Sequence, residues 1–164
     1  MKRVKLILIA IILLIFDNSI APFISIFDVA PSFLFIFAVG YSIIYGKSEA
    51  VFMGVLTGLL QDIYFFNGFG VNLLINMLCC YVVALIGEGI WKERKIIPVV
   101  AVFVASVAKY FLVFIILYIL GIKIGFTRGI FIAIYNSIVM FLTYKFGFKL
   151  SDKERNETTF RYSK

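Results

Sequence analysis

The sequence contains no histidine, only two cysteines and few charged residues, with Asp, Glu, Lys and Arg making up 15% of 164 residues. The absence of histidine removes the commonest general base and the commonest metal ligand. Cys79 and Cys80 are adjacent in an apolar run, so neither zinc-ligand spacing nor a structural disulfide is expected. Nucleotide-binding and nucleophile-elbow motifs are also missing. The sequence therefore predicts a protein that is not an enzyme and holds no metal or cofactor.

Apolar residues dominate what is present: 63% of the residues are hydrophobic, and phenylalanine occurs 19 times. A soluble domain of this length needs more charge to cover its surface, so the exterior is predicted to face lipid. The net charge is +7, but the basic residues lie mostly at the two ends and in one short loop. That distribution is typical of membrane orientation and does not indicate nucleic-acid binding.

Six apolar segments are candidates for membrane spans, which need roughly 20 residues each. Short connections make consecutive spans antiparallel neighbours and leave no room for a separate domain. Residues 1–150 are predicted to form one all-α, six-span membrane domain, and residues 151–164 a polar cytoplasmic tail. Pro31 and Pro98 are placed in the first turns of spans two and five. The predicted spans are Leu6–Phe27, Ala30–Tyr45, Glu49–Phe66, Gly70–Trp91, Ile96–Leu120 and Thr127–Phe148.

The start of the chain also resembles a signal peptide, because basic residues precede the apolar run Leu6–Phe16. Cleavage after the small-residue pair Ser19 and Ala21 would leave Pro22 at the first mature position, which is unfavourable. The segment is therefore interpreted as an uncleaved first span, whose helix Pro22 is expected to kink or to end early.

Lysine and arginine are distributed unevenly between the two predicted sides of the membrane. Thirteen fall on the side of the termini and two on the other, while Lys109 lies within span five. Because cytoplasmic connections carry the excess of basic residues, both termini are predicted to be cytoplasmic. The basic loop after span four is a candidate contact with anionic lipid or with a cytoplasmic partner. Its Lys92 is predicted to pair with Glu88. The thirteen are Lys2, Arg3, Lys5, Lys47, Lys92, Arg94, Lys95, Lys145, Lys149, Lys153, Arg155, Arg161 and Lys164, and the two are Lys123 and Arg128.

The third span carries a glycine face. Gly54 and Gly58 form a G-x-x-x-G pair, and Asp62 continues the same helical face one turn later. Small residues at this spacing allow two helix backbones to approach closely in lipid. The face is predicted to pack against another helix, either within the bundle or on a partner protein.

Five predicted spans place a polar side chain at a similar depth. Counted from the cytoplasmic end, Asp17 lies at roughly 17 Å, Asp62 and Lys109 lie at roughly 20 Å, and Asn76 and Asn136 lie near that level. An unpaired charge at the centre of a span costs about 2.5–3.5 kcal/mol, so Lys109 is predicted to pair with Asp17 or Asp62. Three interpretations of this polar layer stay open: a clasp that fixes helix order, a proton or substrate path, and a contact with a partner protein.

The sequence resembles the bacterial rod shape-determining protein MreD family. The shared pattern is a proline-led second span, a glycine-spaced third span that ends in Gly-Leu-x-x-Asp, and a glycine-bearing turn before span four. In this chain these features are Pro31-Ser32-Phe33-Leu34, then Gly54 and Gly58-Leu59-Leu60-Gln61-Asp62, then Gly68 and Gly70. The specific residues lie between about 30 and 90, while the layout is similar along nearly the whole chain.

The resemblance implies a non-enzymatic subunit of the complex that elongates the lateral peptidoglycan wall, located in the bacterial cytoplasmic membrane. The implied partners are a bitopic MreC-like protein, an MreB-like filament, and the RodA glycosyltransferase with its transpeptidase. The family's fold is also similar to that of the S components of energy-coupling-factor transporters. This supplies the alternative function, a vitamin-binding subunit of an importer. The short outer turn Asn67–Gly70 and the wide separation of Ala10 and Ala21 favour the MreD-like interpretation.

Overall fold

The computed structural model describes residues 3–26, 29–64, 70–88, 96–119, 121 and 128–143. These residues form an all-helical structure, and the tail predicted at 151–164 lies outside them. The helices are α1 Arg3–Ser19, α2 Phe33–Tyr45, α3 Lys47–Tyr64, α4 Val71–Glu88, α5 Ile96–Ile119 and α6 Arg128–Thr143.

Two helix boundaries near prolines bear on the predictions. Helix α1 ends at Ser19, three residues before Pro22, so the first helix does end early as expected. Helix α2 begins at Phe33 with Ser32 as its N-cap, so Pro31 lies before the helix and its predicted position in the first turn is wrong. Ser32 sets the start of the helix because its side chain accepts the Phe35 N–H, which satisfies a backbone donor of the first turn.

Helix α2 lies at the centre of the bundle and packs against α1, α3, α4 and α5. Nine of its 13 residues are buried. The main apolar cluster joins its Phe35 and Val39 to Ile75 on α4, Val102 on α5 and Met140 on α6. A central helix of this kind is apolar all round because it has no face left for lipid or water.

Helices α2, α3 and α4 all pack against one another. Only Gly46 separates α2 from α3, and its φ of 84° is a left-handed conformation that favours glycine. Ala38, Ala50, Cys80 and Ala84 then form a small-residue cluster between the three helices. Small side chains at this contact let the helix axes come close together.

Helices Val71–Glu88 and Ile96–Ile119 are long and apolar enough to cross a membrane by length and composition. Helices Phe33–Tyr45 and Arg128–Thr143 are apolar but shorter. The outward faces of the helices are also apolar, as Leu8 and Ile12 on α1 and Phe141 on α6 illustrate. An exterior of this kind is suited to lipid.

Candidate functional site

The start of α2 is held by side chains from three other helices that meet at Ser32. The Ser32 hydroxyl donates to Asp17 Oδ2 on α1 at 2.9 Å and accepts from Gln61 Nε2 on α3 at 3.1 Å. The Ser32 backbone N–H donates to Asn136 Oδ1 on α6 at 3.0 Å. One residue therefore joins α1, α2, α3 and α6.

The carboxylate of Asp17 caps α2 from a neighbouring helix. Its Oδ1 accepts the backbone N–H of Phe33 at 2.6 Å, and its Oδ2 accepts that of Leu34 at 3.2 Å. These N–H groups have no partner within the helix, and the helix dipole favours a negative charge at this end. The charge of Asp17 is thus stabilised by the first turn of α2.

Gln61 extends these contacts to α4 and α5. Its Oε1 accepts from Lys109 Nζ at 2.7 Å and from Asn76 Nδ2 at 3.0 Å. The Lys109 ammonium also lies 4.5 Å from the centre of the Phe35 ring, a favourable arrangement for a cation. Lys109 is therefore connected to Asp17 through Gln61 and Ser32.

Asn136 completes the set by joining α6 to α5. Its Nδ2 donates to Ser106 Oγ at 3.0 Å, while its Oδ1 accepts from Ser32 as described. Both residues are buried, where polar groups need hydrogen-bond partners. The connected side chains, which link all six helices, are named the Ser32 network: Asp17, Ser32, Gln61, Asn76, Ser106, Lys109 and Asn136.

Asp62 makes a second cap that is separate from the Ser32 network. Its oxygens accept the backbone N–H groups of Gly70, Asn72 and Leu73 at the start of α4, each at 2.9 Å. Among the described residues, Asp62 accepts from backbone N–H groups alone. Its side chain is only 2% exposed, so its charge is stabilised by the first turn of α4.

The glycine face of α3 packs against α4 of the same chain. A methyl group added at Gly54 would lie 2.5 Å from Met77 Cα, and one at Gly58 would lie 2.5 Å from the Asn72 carbonyl oxygen. These are backbone atoms, which cannot move aside as the end of a side chain can. The Gly54, Gly58 and Asp62 side of α3 is therefore filled by α4 and is not an open face for a partner protein.

The five residues of the predicted polar layer fall into two groups. Asp17, Asn76, Lys109 and Asn136 meet in one network, whereas Asp62 turns to α4. The predicted direct pairing of Lys109 with Asp17 or Asp62 is replaced by the bond to Gln61. Both carboxylates accept backbone N–H groups, and the Lys109 ammonium donates to the neutral amide of Gln61 instead.

Two central residues of the network, Ser32 and Gln61, were absent from the candidates chosen from the sequence. Ser32 carries a recognisable signal, because a serine just before an apolar helical run is a preferred N-cap. Gln61 is a polar residue inside an apolar span, but the adjacent Asp62 is charged and is therefore the stronger candidate from the sequence. Adjacent helical residues point about 100° apart, so the two side chains serve different neighbours.

The chemistry of the network suits a clasp better than a proton path. A proton passing from Asp17 to Lys109 along these hydrogen bonds would cross the Gln61 amide, which has no titrating group. Within the described ranges, no cluster of three or more metal-ligating side chains occurs. The network links six helices through mostly neutral, directional hydrogen bonds.

At the opposite end of the bundle, charged residues meet near the starts of α1 and α3. Lys47 Nζ lies 2.8 Å from Glu88 Oε2, and the Arg3 guanidinium lies 5.1 Å from the Phe52 ring centre. The hydrogen bond to Glu88 raises the pKa of Lys47 above its usual value. Glu88 thus pairs with Lys47 on the antiparallel neighbour, while its predicted partner Lys92 lies outside the described residues.

The comparisons with known proteins identify a family. Residues 1–153 of the chain match the family model described as rod shape-determining protein MreD. No significant match was found among curated proteins or among solved structures. The match covers all six helices and every residue of the Ser32 network.

Proposed function

The chain belongs to the MreD family of rod shape-determining membrane proteins, and on that premise we propose that it is a non-enzymatic scaffold subunit of the cell-elongation complex. The observation that carries the proposal is the family match along residues 1–153. The match is not confined to one motif, so it concerns the protein as a whole. A scaffold needs a defined helix arrangement more than it needs reactive groups.

The Ser32 network supports a scaffold role through its composition. It contains amide and hydroxyl side chains, one carboxylate and one ammonium, and its members come from all six helices. Directional polar contacts of this kind select one helix order in lipid, where apolar packing alone is less specific. A fixed order presents a constant surface to partner proteins.

Six membrane spans with both termini in the cytoplasm form part of the proposal. The thirteen-to-two distribution of basic residues supports this orientation. The Arg3–Phe52 and Lys47–Glu88 contacts place the starts of α1 and α3 and the end of α4 at one end of the bundle. Reporter fusions at Lys164 and near Lys123 are expected to lie on opposite sides of the membrane. Fusions on the same side would contradict this topology.

The proposed partners follow from the family and not from a surface of this chain. They are a bitopic MreC-like protein, an MreB-like filament on the cytoplasmic face, and a RodA glycosyltransferase with its transpeptidase. Because the glycine face is filled by α4, these partners are expected to use the outward faces of the bundle or its connections. Site-specific crosslinking from the exposed Leu78 on α4, compared with the buried Met53 on α3, separates an outward contact from an internal one.

Depletion of the protein in its host tests the function. The expected result is that rods widen and become round, and that a plasmid-borne copy restores their width. Normal rods that acquire a vitamin requirement would instead indicate the substrate-binding subunit of an importer. Binding of a vitamin by the purified protein, measured by calorimetry, would point the same way.

A further inference from the structure

The connection between α1 and α2 starts and ends short of the far membrane boundary. Helix α1 has 17 residues and α2 has 13, which correspond to lengths of about 26 Å and 20 Å. The hydrocarbon core of a bilayer is about 30 Å thick. With Arg3 and Lys47 at the cytoplasmic boundary, as in the proposed topology, the connection begins about 4 Å and ends about 10 Å inside the outer boundary. Helix tilt would only increase these depths.

The outward side chains of residues 20–26 are apolar except for that of Ser25. Phe23 is 90% exposed and Ile26 is 59% exposed, and Ile20 and Ile24 are also exposed. Ile20 lies one helical turn beyond the exposed Phe16, so the apolar outer surface of α1 continues into the connection. A water-facing loop of this composition would be unusual, whereas a lipid-facing one would continue the surface of the helix.

The polar atoms of this segment are largely bonded within the protein. The N–H groups of Ile20 and Ala21 donate to the Phe16 carbonyl at 2.9 and 3.0 Å. Ile26 and Val29 exchange two backbone hydrogen bonds of 3.0 Å.

Other side chains and turns bond most of what remains. The Ser25 hydroxyl and N–H both donate to the Pro22 carbonyl, at 2.8 and 3.3 Å. The Tyr135 hydroxyl of α6 donates to the Ile24 carbonyl at 2.5 Å. In hydrocarbon each unbonded backbone group costs several kcal/mol, so this internal bonding is what a non-helical segment needs there.

We propose that residues 20–26 are inserted into the outer leaflet of the membrane, with Phe23 in contact with lipid acyl chains. The proposal rests on the six-span topology proposed above. Asp17, Ser32, Asn136 and Tyr135 then have a common role, because they bond backbone groups where the chain reverses inside the lipid. The Ser32 network then lies on the protein side of this lipid-inserted segment and supports the start of α2.

Tryptophan fluorescence in vesicles tests the insertion. A Trp91→Phe background removes the single native tryptophan, and Phe23→Trp places the probe in the connection. In phosphatidylcholine vesicles at a low protein-to-lipid ratio, the Phe23→Trp emission is expected to be blue-shifted and quenched by brominated acyl chains. Phe103→Trp on the exposed side of α5 is the matched lipid control, and Ser48→Trp at the exposed start of α3 is the matched water control.

Two results would overturn the insertion. Emission and iodide quenching of Phe23→Trp like those of Ser48→Trp would place the connection in water. Protection from both iodide and brominated lipid would show that protein covers Phe23 instead. A lack of lipid quenching at Phe103→Trp would contradict the membrane topology itself, which distinguishes that failure from failure of the insertion alone.

Discussion

The hairpins α1–α2 and α3–α4 use the same device in different surroundings. Asp17 and Asp62 each stand two residues before the end of their helix, and each caps the first turn of the next helix. Asp62 bonds backbone N–H groups in a tightly packed pair of helices. Asp17 also bonds Ser32, through which it is connected to α3, α5 and α6. The comparison shows that a buried carboxylate can be satisfied locally or can join a whole bundle.

The α3–α4 hairpin is distinguished by its close packing. The largest loss of stability is therefore expected from a side chain that fills the space between these two helices. Gly58→Leu forces side-chain atoms into the backbone of α4 and should destabilise the protein by about 3 kcal/mol. Gly58→Ala and Gly40→Ala form the matched pair, because the methyl group would meet the backbone of α4 at Gly58 but only the flexible end of Met140, at 3.0 Å, at Gly40. Thermal loss of monodisperse protein in detergent measures all three variants. A Gly58→Ala protein as stable as Gly40→Ala would contradict the α3–α4 contact.

The cap of α4 is expected to give the second-largest effect. Asp62→Ala leaves three backbone N–H groups without their acceptor, at a cost of about 2 kcal/mol. Asp62→Asn keeps an acceptor oxygen and should lose less. The same thermal assay ranks the two variants. Equal losses would mean that Asp62 acts through its charge and not as a cap.

The exposed ion pair Lys47–Glu88, at the other end of the α3–α4 hairpin, is expected to have the smallest effect on stability. Lys47 and Glu88 are 41% and 48% exposed, and solvent screens such pairs. Because Glu88 raises the pKa of Lys47, the pair stabilises the fold below the ordinary lysine pKa of 10.5 and loses this effect as the pH rises through the raised value. Lys47→Ala should lower the melting temperature slightly, and Lys92→Ala should not. The reverse order would favour the pairing of Glu88 with Lys92 that is predicted from the sequence.

The depths of the polar residues could be predicted from the sequence because a helix rises 1.5 Å per residue. That count brought Asp17, Asn76, Lys109 and Asn136 to one level, where the structure joins them. The bonding partners could not be predicted, since they depend on how each helix is rotated and on which helices are neighbours.

Two other contacts have local causes. Spacing along one helix predicts that Glu88 pairs with Lys92, which lies outside the described residues, whereas the antiparallel packing of α3 and α4 brings Lys47 to Glu88. The acceptor of Lys109 was sought among the carboxylates because charges attract most strongly. Both carboxylates instead accept backbone N–H groups at helix starts, where these groups have no partner within the helix. The sequence alone does not show this, because it depends on α2 and α4 beginning beside Asp17 and Asp62.

A double-mutant cycle tests most directly the claim that Asp17 is coupled to Lys109 more strongly than Asp62 is. Lys109→Met removes the positive charge of the Ser32 network and leaves the Asp17 carboxylate without it, so adding Asp17→Asn should recover about 1 kcal/mol. Adding Asp62→Asn to Lys109→Met should recover less than adding Asp17→Asn, because Asp62 makes no hydrogen bond to the Ser32 network among the described residues. Folded protein recovered from membranes is the readout for the three single and two double variants. A larger recovery with Asp62→Asn than with Asp17→Asn, or recovery with neither, would contradict the Ser32 network as the main connection between these charges.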